Sequence, residues 1–552
     1  MKRTMKCASN KFIICVMTGC CLVTFAYAQP AQRESIGSCT SIMVGKKASA
    51  DGSVITSHTC DGRYRTWMEI VPAQKHKKGE TTKILQGTMF TERYSEVADM
   101  QQGKAPENPA FRDFEVALGI RGEIPEAAET FAYLYTAYPC MNEKNLAIGE
   151  TTIEGRPELV NEKAMFLIEE LERIALQRCT TARDAIRLMG KLVKEYGYAD
   201  VGECLTIADK DEVWHFEIFG EGADRIGGVW AAQRIPDTHV GISANIPRIG
   251  EINLKDKDCF MASDNVFDVA KRLGYWDGKS PFKMWKAYSG VKPFSIREWF
   301  VLNAVAPSLH LSMDDEELPF SVQSESPVSV RDVLRFFRST YEGTPYDMTK
   351  NLLVTQKKKD SEEMETVKSP YANPWLLRSQ ISTYNHIKDS TVVRVRAIAV
   401  PQCSYAQVIQ VRGNVPDEFA TVAYIANDNP AQSPRFPIYA SALRLPESYR
   451  VSGHRRHIPE AAAWTYRRAN KLATIRWQEL REKLEPLRDS LENKLFDEQI
   501  GVEKQARQIL KTQGKQACRN YLTEYVNAFA TDTENCWRKL EEELWYHFIQ
   551  GL

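Results

Sequence analysis

The chain has 552 residues, with 72 basic and 72 acidic side chains, and 43% of its residues are hydrophobic. This composition is typical of a folded globular protein and excludes a disordered or fibrous one. A net charge of zero gives no sequence-wide electrostatic footprint for nucleic acid, so we expect no nucleic acid among its partners.

Residues 1–28 have the organisation of a secretory signal peptide. Four basic residues precede an apolar run that ends at Phe25, and Ala26-Tyr27-Ala28 forms a small-x-small cleavage site. A lipoprotein signal at Gly19-Cys20 is the alternative, which Met17 disfavours. The apolar run is too short for a comfortable membrane span, and later apolar stretches are broken by polar residues. We therefore expect a secreted or periplasmic protein with no membrane span in its mature form.

The first half of the remaining chain alternates between strands and a pair of helices. Strands are predicted at 40–44, 53–57, 203–208, 212–219, 228–234 and 239–244, and helices at 159–178 and 181–197. A turn at Ala50-Asp51-Gly52 joins the first two strands into a hairpin. Strands, then helices, then strands indicate a layered α+β fold.

The second half is predicted to be richer in helix. Residues 285–337 are mostly helical, and the polar run 355–368 lacks apolar periodicity and is predicted as an exposed loop. Strands follow at 391–400, 405–411 and 421–426, and helices at 461–487, 491–512 and 517–548. We place a catalytic domain at 39–450 and a C-terminal helical extension at 451–552.

The cysteine count is awkward for a secreted protein. Without residues 1–38 the chain keeps 67 basic and 71 acidic residues, a net charge of about −4, and nine cysteines. An odd count implies at least one unpaired thiol in an oxidising compartment. Cys518 and Cys536 lie in the helical region, where a disulfide between adjacent helices is one pairing that the sequence allows.

Signals for metals and cofactors are weak. The sequence has no C-x-x-C pair, and His454-x-x-His457 with Glu460 lacks the H-E-x-x-H pattern, so a solvated helix start is the better interpretation. The glycines of 220–228 do not follow the G-x-G-x-x-G order of dinucleotide sites. We therefore predict neither a metal nor a cofactor.

One cysteine is placed for a particular mechanism. If 29–38 is a short propeptide, its removal makes Cys39 the amino terminus, with its α-amine within reach of its own sulfur. Such an amine has a pKa of about 7.7–8.0 and can act as general base toward the thiol near neutral pH. The alternative is that Cys39 is half of a disulfide, and its position alone does not decide between the two.

The residues around Cys39 resemble the start of the secreted cysteine dipeptidases of peptidase family C69. These enzymes are N-terminal nucleophile hydrolases, related to choloylglycine hydrolases and penicillin V acylases. The resemblance runs to the helical end of the chain, and the segments that carry it are 39–54, 141–144, 212–217, 243–250, 341–347, 426–428 and 437–440.

The resemblance implies a four-layer αββα sandwich with the nucleophile at the start of a central strand. Cys39 corresponds to the nucleophile, and Asp61 to the acid that holds the α-amine and nucleophile in place. A turn residue is the alternative for Asp61, because Asp61-Gly62 is also a turn signal. Related hydrolases often carry arginine where this chain has His58, which either takes that role in altered form or forms a pocket wall.

Three further residues are assigned by the same resemblance. Asn245 corresponds to the asparagine that donates to the developing oxyanion, and Asn142 to a position associated with substrate carbonyl contacts. Each could instead cap a turn. Arg396 corresponds to an arginine near the site, although Arg394 and Arg412 are nearby and a solvated surface arginine is the common alternative.

These observations predict an exported cysteine-type dipeptidase that acts on dipeptides through Cys39 and its α-amine. A non-peptide amidase of the choloylglycine hydrolase or penicillin V acylase kind is one alternative. A binding protein that retains the fold without activity is another. The family's relatives also make a homo-oligomer plausible.

Overall fold

The computed structural model describes residues 39–104 and 117–551, so the predicted signal peptide and propeptide lie outside the described residues. Within these ranges the strands, numbered β1 to β21 in chain order, are Ser41–Val44, Val54–Asp61, Glu69–Val71, Gln74–Lys75, Thr81–Gln86, Gly119–Pro125, Glu129–Thr130, Tyr133–Tyr135, Met141–Asn142, Ala147–Thr152, Glu203–Ala208, Val213–Gly220, Gly228–Ile235, His239–Ser243, Phe260–Ala262, Ser321–Gln323, Leu353–Lys357, Met364–Lys368, Cys403–Val411, Thr421–Asn427 and Phe436–Tyr439.

The α-helices of the same ranges are numbered α1 to α11. They are Tyr94–Gln101, Ile168–Arg178, Ala182–Tyr196, Val266–Arg272, Met284–Tyr288, Ile296–Val305, Val330–Phe337, Arg378–Ile387, Ala462–Ala473, Trp477–Gln513 and Lys515–His547. None of the helices in the described part of the chain combines the length and the apolar character needed to cross a membrane.

Two antiparallel sheets form the centre of the molecule. The first has seven strands in the order β16-β14-β1-β2-β19-β20-β21, and the second has eight in the order β15-β13-β12-β11-β10-β9-β8-β3. Strands β1 and β2 contact the second sheet, α2 and α3 lie against the second sheet, and α6, α7, α9 and α11 lie against the first. This order of layers confirms the predicted α+β fold with two stacked sheets between helices.

The two sheets approach most closely where β2 meets β10. A Cβ atom on Gly149 would lie 2.2 Å from the backbone oxygen of Ser57 and 2.6 Å from the hydroxyl of Thr206. Only glycine leaves room for this approach. The contact brings the next residues, His58 and Glu150, together at the end of the sandwich where Cys39 lies.

The predicted hairpin at the start of the chain is confirmed, because β1 pairs with β2 in antiparallel register. The strands predicted between 203 and 244 and the helix pair between 159 and 197 are also present, with shifted ends. The helices of 451–552 pack against β20 and β21 within one compact unit. They form the long helical region at the carboxyl terminus that the sequence predicted, and it lies against the first sheet.

Two predictions between 355 and 400 are wrong. The polar run 355–368 forms most of an exposed hairpin, β17 and β18, because its β-branched residues pair across the turn, as Thr355 does with Thr366. Residues 391–400 form no strand despite four valines, because their backbone groups bond to side chains: Asn385 accepts from the Val392 backbone N–H and Met348 from that of Val395.

The helical boundaries near the carboxyl terminus also differ from the prediction. Helix α9 ends at Ala473, and α10 runs unbroken through Pro486. Pro486 is exposed, so water can satisfy the carbonyl that loses its partner there. Cys518 and Cys536 both lie on α11, about 27 Å apart along the helix axis. They are free thiols, so the disulfide that the sequence allowed between them is wrong.

Candidate active site

Cys39 lies at the head of a central strand, between two others. It is fully buried and precedes β1, which pairs with β14 on one side and β2 on the other. The register joins Ser41 to Ser243 and Thr40 to Thr59. Continued by two residues, the first register places Asn245 opposite Cys39, and continued by one residue, the second places Cys60, next to Asp61, opposite Cys39. The sheet topology thus gathers residues that are far apart in the sequence.

Arg297 fixes the backbone around Cys39 from the first turn of α6. Its guanidinium donates to the carbonyl oxygen of Cys39 at 2.7 Å and to the carbonyl oxygen of Ala244 at 2.8 Å. Ser295 and Glu298 form a capping box that starts α6 at this point. Burial lowers the pKa of Arg297 to about 10, assisted by the neighbouring charge of Arg396. Arg297 remains cationic at neutral pH and holds β1 and the end of β14 in fixed relation.

Asp61 ends β2 and is paired with Arg396. The Arg396 guanidinium donates to Oδ2 of Asp61 at 2.7 Å, and the Thr59 hydroxyl donates to the same oxygen at 3.0 Å. The other oxygen, Oδ1, is buried and has no hydrogen-bond partner among the described residues. Arg394 is exposed, and Arg412 pairs with Glu503. Of the three arginines that the sequence offered, Arg396 is the one that the structure brings to Asp61.

Asn245 follows β14 in a left-handed backbone conformation, with φ of 66°. Asparagine tolerates this region better than most residues, and such conformations cluster at functional sites. Its Nδ2 donates one hydrogen bond to the carbonyl oxygen of Thr152 at 2.6 Å. Since an amide nitrogen carries two hydrogens, one N–H remains for a ligand, and the bond to Thr152 holds the amide in orientation.

Asn142 is held entirely by backbone groups. Its Nδ2 donates to the carbonyl oxygens of Leu176 and Cys179 at 2.7 and 2.9 Å, and its Oδ1 accepts from two backbone N–H groups of the following turn. These bonds use the full capacity of the amide. These bonds tie the end of α2 to β9 and match the alternative role of Asn142, that of capping a turn. A contact between Asn142 and the substrate stays a prediction.

His58 faces Glu150 across the interface between the sheets. Its Nδ1 lies 2.6 Å from the carbonyl oxygen of Glu150 and 3.0 Å from its backbone nitrogen. Its ring also stacks near Tyr405 and Tyr138, with centroids 5.8 and 5.6 Å away. Burial lowers the pKa of His58 to about 3, so the imidazole is neutral at physiological pH. It supplies no positive charge in place of an arginine and contributes to the wall of the site.

Two buried carboxyl groups lie behind His58. Glu150 on β10 and Glu203 on β11 are neighbours, because Thr152 and Thr151 next to Glu150 pair with Glu203 and Cys204, and each carboxyl group influences the pKa of the other. Burial raises the pKa of Glu150 to about 7, and burial together with the charge of Glu150 raises the pKa of Glu203 well above its ordinary value. The pair therefore shares a proton near neutral pH.

The thiol of Cys39 is held neutral in this environment. Burial raises its pKa well above the ordinary value, and the charges of Glu150, Cys60 and Asp61 act in the same direction, while a backbone hydrogen bond from Asp61 opposes them. Here the nitrogen of Cys39 is part of a peptide bond with Ser38. A positive charge on a freed α-amine would act against this shift, because an adjacent cation favours the thiolate.

The described residues contain one group whose geometry could hold a metal ion. A nitrogen of His58, the sulfur of Cys39 and a carboxyl oxygen of Glu150 all lie within 4.8 Å of one another. This donor set suits zinc. The same atoms surround the predicted nucleophile, so a metal bound there would occupy the sulfur.

The structure thus assembles Cys39, His58, Asp61, Asn245 and Arg396 at one end of the sandwich. Sequence reasoning missed Arg297, Glu150 and Glu203. The sequence Ser295-x-x-Glu298 signals the helix start that positions Arg297. Nothing in the sequence marks Glu150 or Glu203, because each is a single acid in a strand of ordinary pattern.

Comparisons with known proteins agree on one family. The sequence model described as Peptidase family C69 matches residues 38–489. The chain is 24% identical over 425 residues to a probable dipeptidase of Latilactobacillus sakei, with 76% of this chain and 77% of that protein covered. It is 26% identical over 430 residues to probable dipeptidase B of Lactococcus lactis, covering 75% and 77%. It is 22% identical over 427 residues to dipeptidase A of Lactobacillus helveticus, also covering 75% and 77%.

Proposed function

The chain belongs to peptidase family C69, and from this premise we propose that it is a cysteine-type dipeptidase whose nucleophile is the sulfur of Cys39. The observation that carries the proposal is the convergence on Cys39 of a buried carboxylate with one unused oxygen, Asp61, and a tethered amide donor, Asn245. The relatives named dipeptidases support the substrate class.

The reaction begins with removal of the residues before Cys39. The freed α-amine lies beside Asp61, whose Oδ1 accepts its hydrogen bond and orients it. The amine takes the thiol proton, and the thiolate attacks the carbonyl carbon of the dipeptide. The negative charge that develops on the carbonyl oxygen is stabilised by the remaining N–H of Asn245.

The same amine completes the turnover. As an ammonium it delivers its proton to the nitrogen of the departing amino acid, and the C–N bond breaks to leave a thioester on Cys39. The amine then takes a proton from water, which attacks the thioester carbonyl. The C–S bond breaks to release the first amino acid, and the ammonium returns its proton to the Cys39 thiolate. Arg297 and Arg396 act without transferring protons, since they hold the backbone of Cys39 and the carboxylate of Asp61 in place.

We expect the mature protein to begin at Cys39. The α-amine can serve as base only if it is not part of an amide, and the thiol of the uncleaved chain is held neutral by burial. Expression in a bacterial host with the full leader, followed by intact-mass and amino-terminal sequencing of the exported protein, checks this. Fully active enzyme that begins at Gln29 would overturn the mechanism. The same experiment tests the proposed export, since the signal peptide is expected to be absent from exported protein.

We expect Asn245→Gly to lower kcat by about 10²–10³-fold with a small change in KM, the scale of losing one oxyanion donor. Glycine tolerates the positive φ of this position, so the variant removes the amide without adding backbone strain. Asn145→Gly is the matched control, because Asn145 also has positive φ, at 68°, and bonds to the distant Thr421. Steady-state kinetics on one dipeptide compares the two. Equal losses in both variants would contradict the role of Asn245.

A further inference from the structure

Glu150 and Glu203 form a carboxyl pair that the chemistry of Cys39 does not use. Both are almost fully buried, and each keeps one oxygen without a hydrogen-bond partner among the described residues. The other oxygen of Glu150 accepts a long bond from the Thr152 hydroxyl, at 3.3 Å. A buried carboxylate with an unused oxygen is costly unless something pairs with it.

Among the described side chains, none of those that act most strongly on this pair is positively charged. The groups that act most strongly on Glu150 are Glu203, Thr152, Cys39 and Asp200, none of which is positively charged. His58 lies 3.5 Å from Oε2 of Glu150, but burial keeps its imidazole neutral. The positive charge that the pair lacks must therefore come either from the freed α-amine of Cys39 or from a bound substrate.

The distance between Glu150 and the Cys39 sulfur shows that the α-ammonium of a substrate can supply this positive charge. A carboxyl oxygen of Glu150 lies within 4.8 Å of the Cys39 sulfur. In a dipeptide, the α-nitrogen is separated from the carbonyl carbon under attack by the Cα atom alone, about 2.5 Å away. A dipeptide whose first carbonyl sits on the sulfur therefore brings its α-ammonium within hydrogen-bond reach of Glu150.

We propose that Glu150, supported by Glu203, binds the free α-ammonium of the substrate. The proposal rests on the proposed function and deepens it, because it states how the site would tell a free amino terminus from a blocked one. Glu203 is a positioning residue that lies beside Glu150 on the neighbouring strand β11. An ammonium and one negative charge neutralise each other in a buried site.

We expect dipeptides with an acylated amino terminus to bind less well than dipeptides with a free one. An N-acyl group presents no positive charge to Glu150 and leaves the carboxylate buried and unpaired, which is strongly unfavourable. Tyr138 packs against His58, with ring centroids 5.6 Å apart, and Tyr64 packs against Tyr138 at the same distance, and both tyrosines are buried. These rings leave little open space beside His58. The geometry thus favours exopeptidase action and disfavours amides of bulky acyl groups.

The test compares a dipeptide with its N-acetyl derivative in three purified, processed proteins: wild type, Glu150→Gln and Glu169→Gln. Glu169 is a matched control because it is a buried acid of α2 whose pKa burial raises to about 8, and it has no place in the proposed subsite. We expect wild type and Glu169→Gln to favour the free dipeptide at least 100-fold in kcat/KM. In Glu150→Gln we expect kcat/KM for the free dipeptide to fall about 100-fold, mostly through KM, with little change for the acetylated one.

Equal losses on both substrates in Glu150→Gln would overturn the proposal and indicate instead that Glu150 holds the enzyme's own α-amine. A wild type that cleaves no dipeptide overturns the proposed function and this inference together, whereas a wild type that cleaves both substrates equally well overturns the inference alone.

If Glu150→Gln fails to fold or to be processed, inhibition of the wild-type enzyme provides the test. Alaninol is expected to compete with the dipeptide at least tenfold better than N-acetylalaninol, and equal inhibition by both would contradict the ammonium subsite. All assays contain a chelator, so that no metal occupies Cys39, His58 and Glu150.

Discussion

Cys39→Ala is expected to reduce dipeptide hydrolysis to background, a loss of about 10⁴-fold or more, because the variant has no atom that can form the thioester. The fold should persist, since a buried cysteine behaves as a small apolar residue and alanine retains most of its packing. Measurement of kcat/KM on one dipeptide, in chelator and with the unfolding midpoint recorded beside it, checks both statements.

The matched control for this variant is Cys140→Ala. Cys140 is fully buried, as Cys39 is, and burial raises its pKa to about 12, so both thiols are buried and neutral. It precedes β9 and lies outside the group of residues gathered around Cys39. We expect a loss of stability of about 1 kcal/mol and full activity. Activity retained in Cys39→Ala, or lost from wild type in chelator, would point to a metallopeptidase mechanism instead.

The part of the site that the sequence predicted is the part carried by short, regular strands. The strand that follows Cys39, the turn at Ala50-Asp51-Gly52 and the strand that ends at Asp61 lie close together in the chain, and their alternation of turn and β-branched residues is strong. Local pattern and family resemblance agree there. Asn245 could be predicted from the sequence equally well, because it directly follows a predicted strand.

The residues that the sequence did not predict reach the site through long-range packing. Glu150 comes to Cys39 only because Gly149 lets two sheets approach, and the sequence does not show which strands will stack. Arg297 reaches the backbone of Cys39 from a helix 258 positions later in the chain. A single buried acid or arginine has no periodic signal, so its position becomes visible only in the assembled sandwich.

Arg396 illustrates why local pattern can mislead near a site. Four valines favoured a strand over 391–400, yet the segment is irregular, and the Tyr341 hydroxyl donates to the carbonyl oxygen of Arg396 at 2.9 Å. An irregular backbone allows the arginine to reach Asp61 from outside the sheet. Tertiary contacts overrode strand propensity where the site needed a charge.

Asp61→Asn is expected to damage both stability and activity. The substitution replaces a carboxylate that accepts from Arg396 and Thr59 with an amide, so a guanidinium that is 19% exposed loses its opposite charge. Breaking a buried ion pair in this way costs about 3 kcal/mol in the free energy of unfolding. We also expect kcat to fall about 10³–10⁴-fold, the scale observed when the carboxylate that orients a catalytic base is neutralised.

Comparison with Asp428→Asn separates the effect of Asp61→Asn on stability from its effect on activity. Asp428 is also fully buried, and its contact with Arg467 resembles that of Asp61, because the arginine side chain is 20% exposed. Burial raises the pKa of Asp428, but the charges of Lys471 and Arg467 outweigh this and hold it below its ordinary value. Asp428→Asn should therefore lose comparable stability in urea unfolding while the folded enzyme keeps its kcat.

The comparison works because the two carboxylates differ in one respect that matters for catalysis. Asp61 is near enough to Cys39 for its charge to raise the pKa of the thiol and keeps Oδ1 unused, whereas both oxygens of Asp428 are occupied by Arg467, Lys471 and Asn470. If Asp61→Asn were to lose only stability, with an unchanged kcat at temperatures where it is folded, Asp61 would be a structural ion-pair partner and the α-amine of Cys39 would be oriented by another group. A loss of kcat confined to Asp61→Asn instead ties the carboxylate to the base.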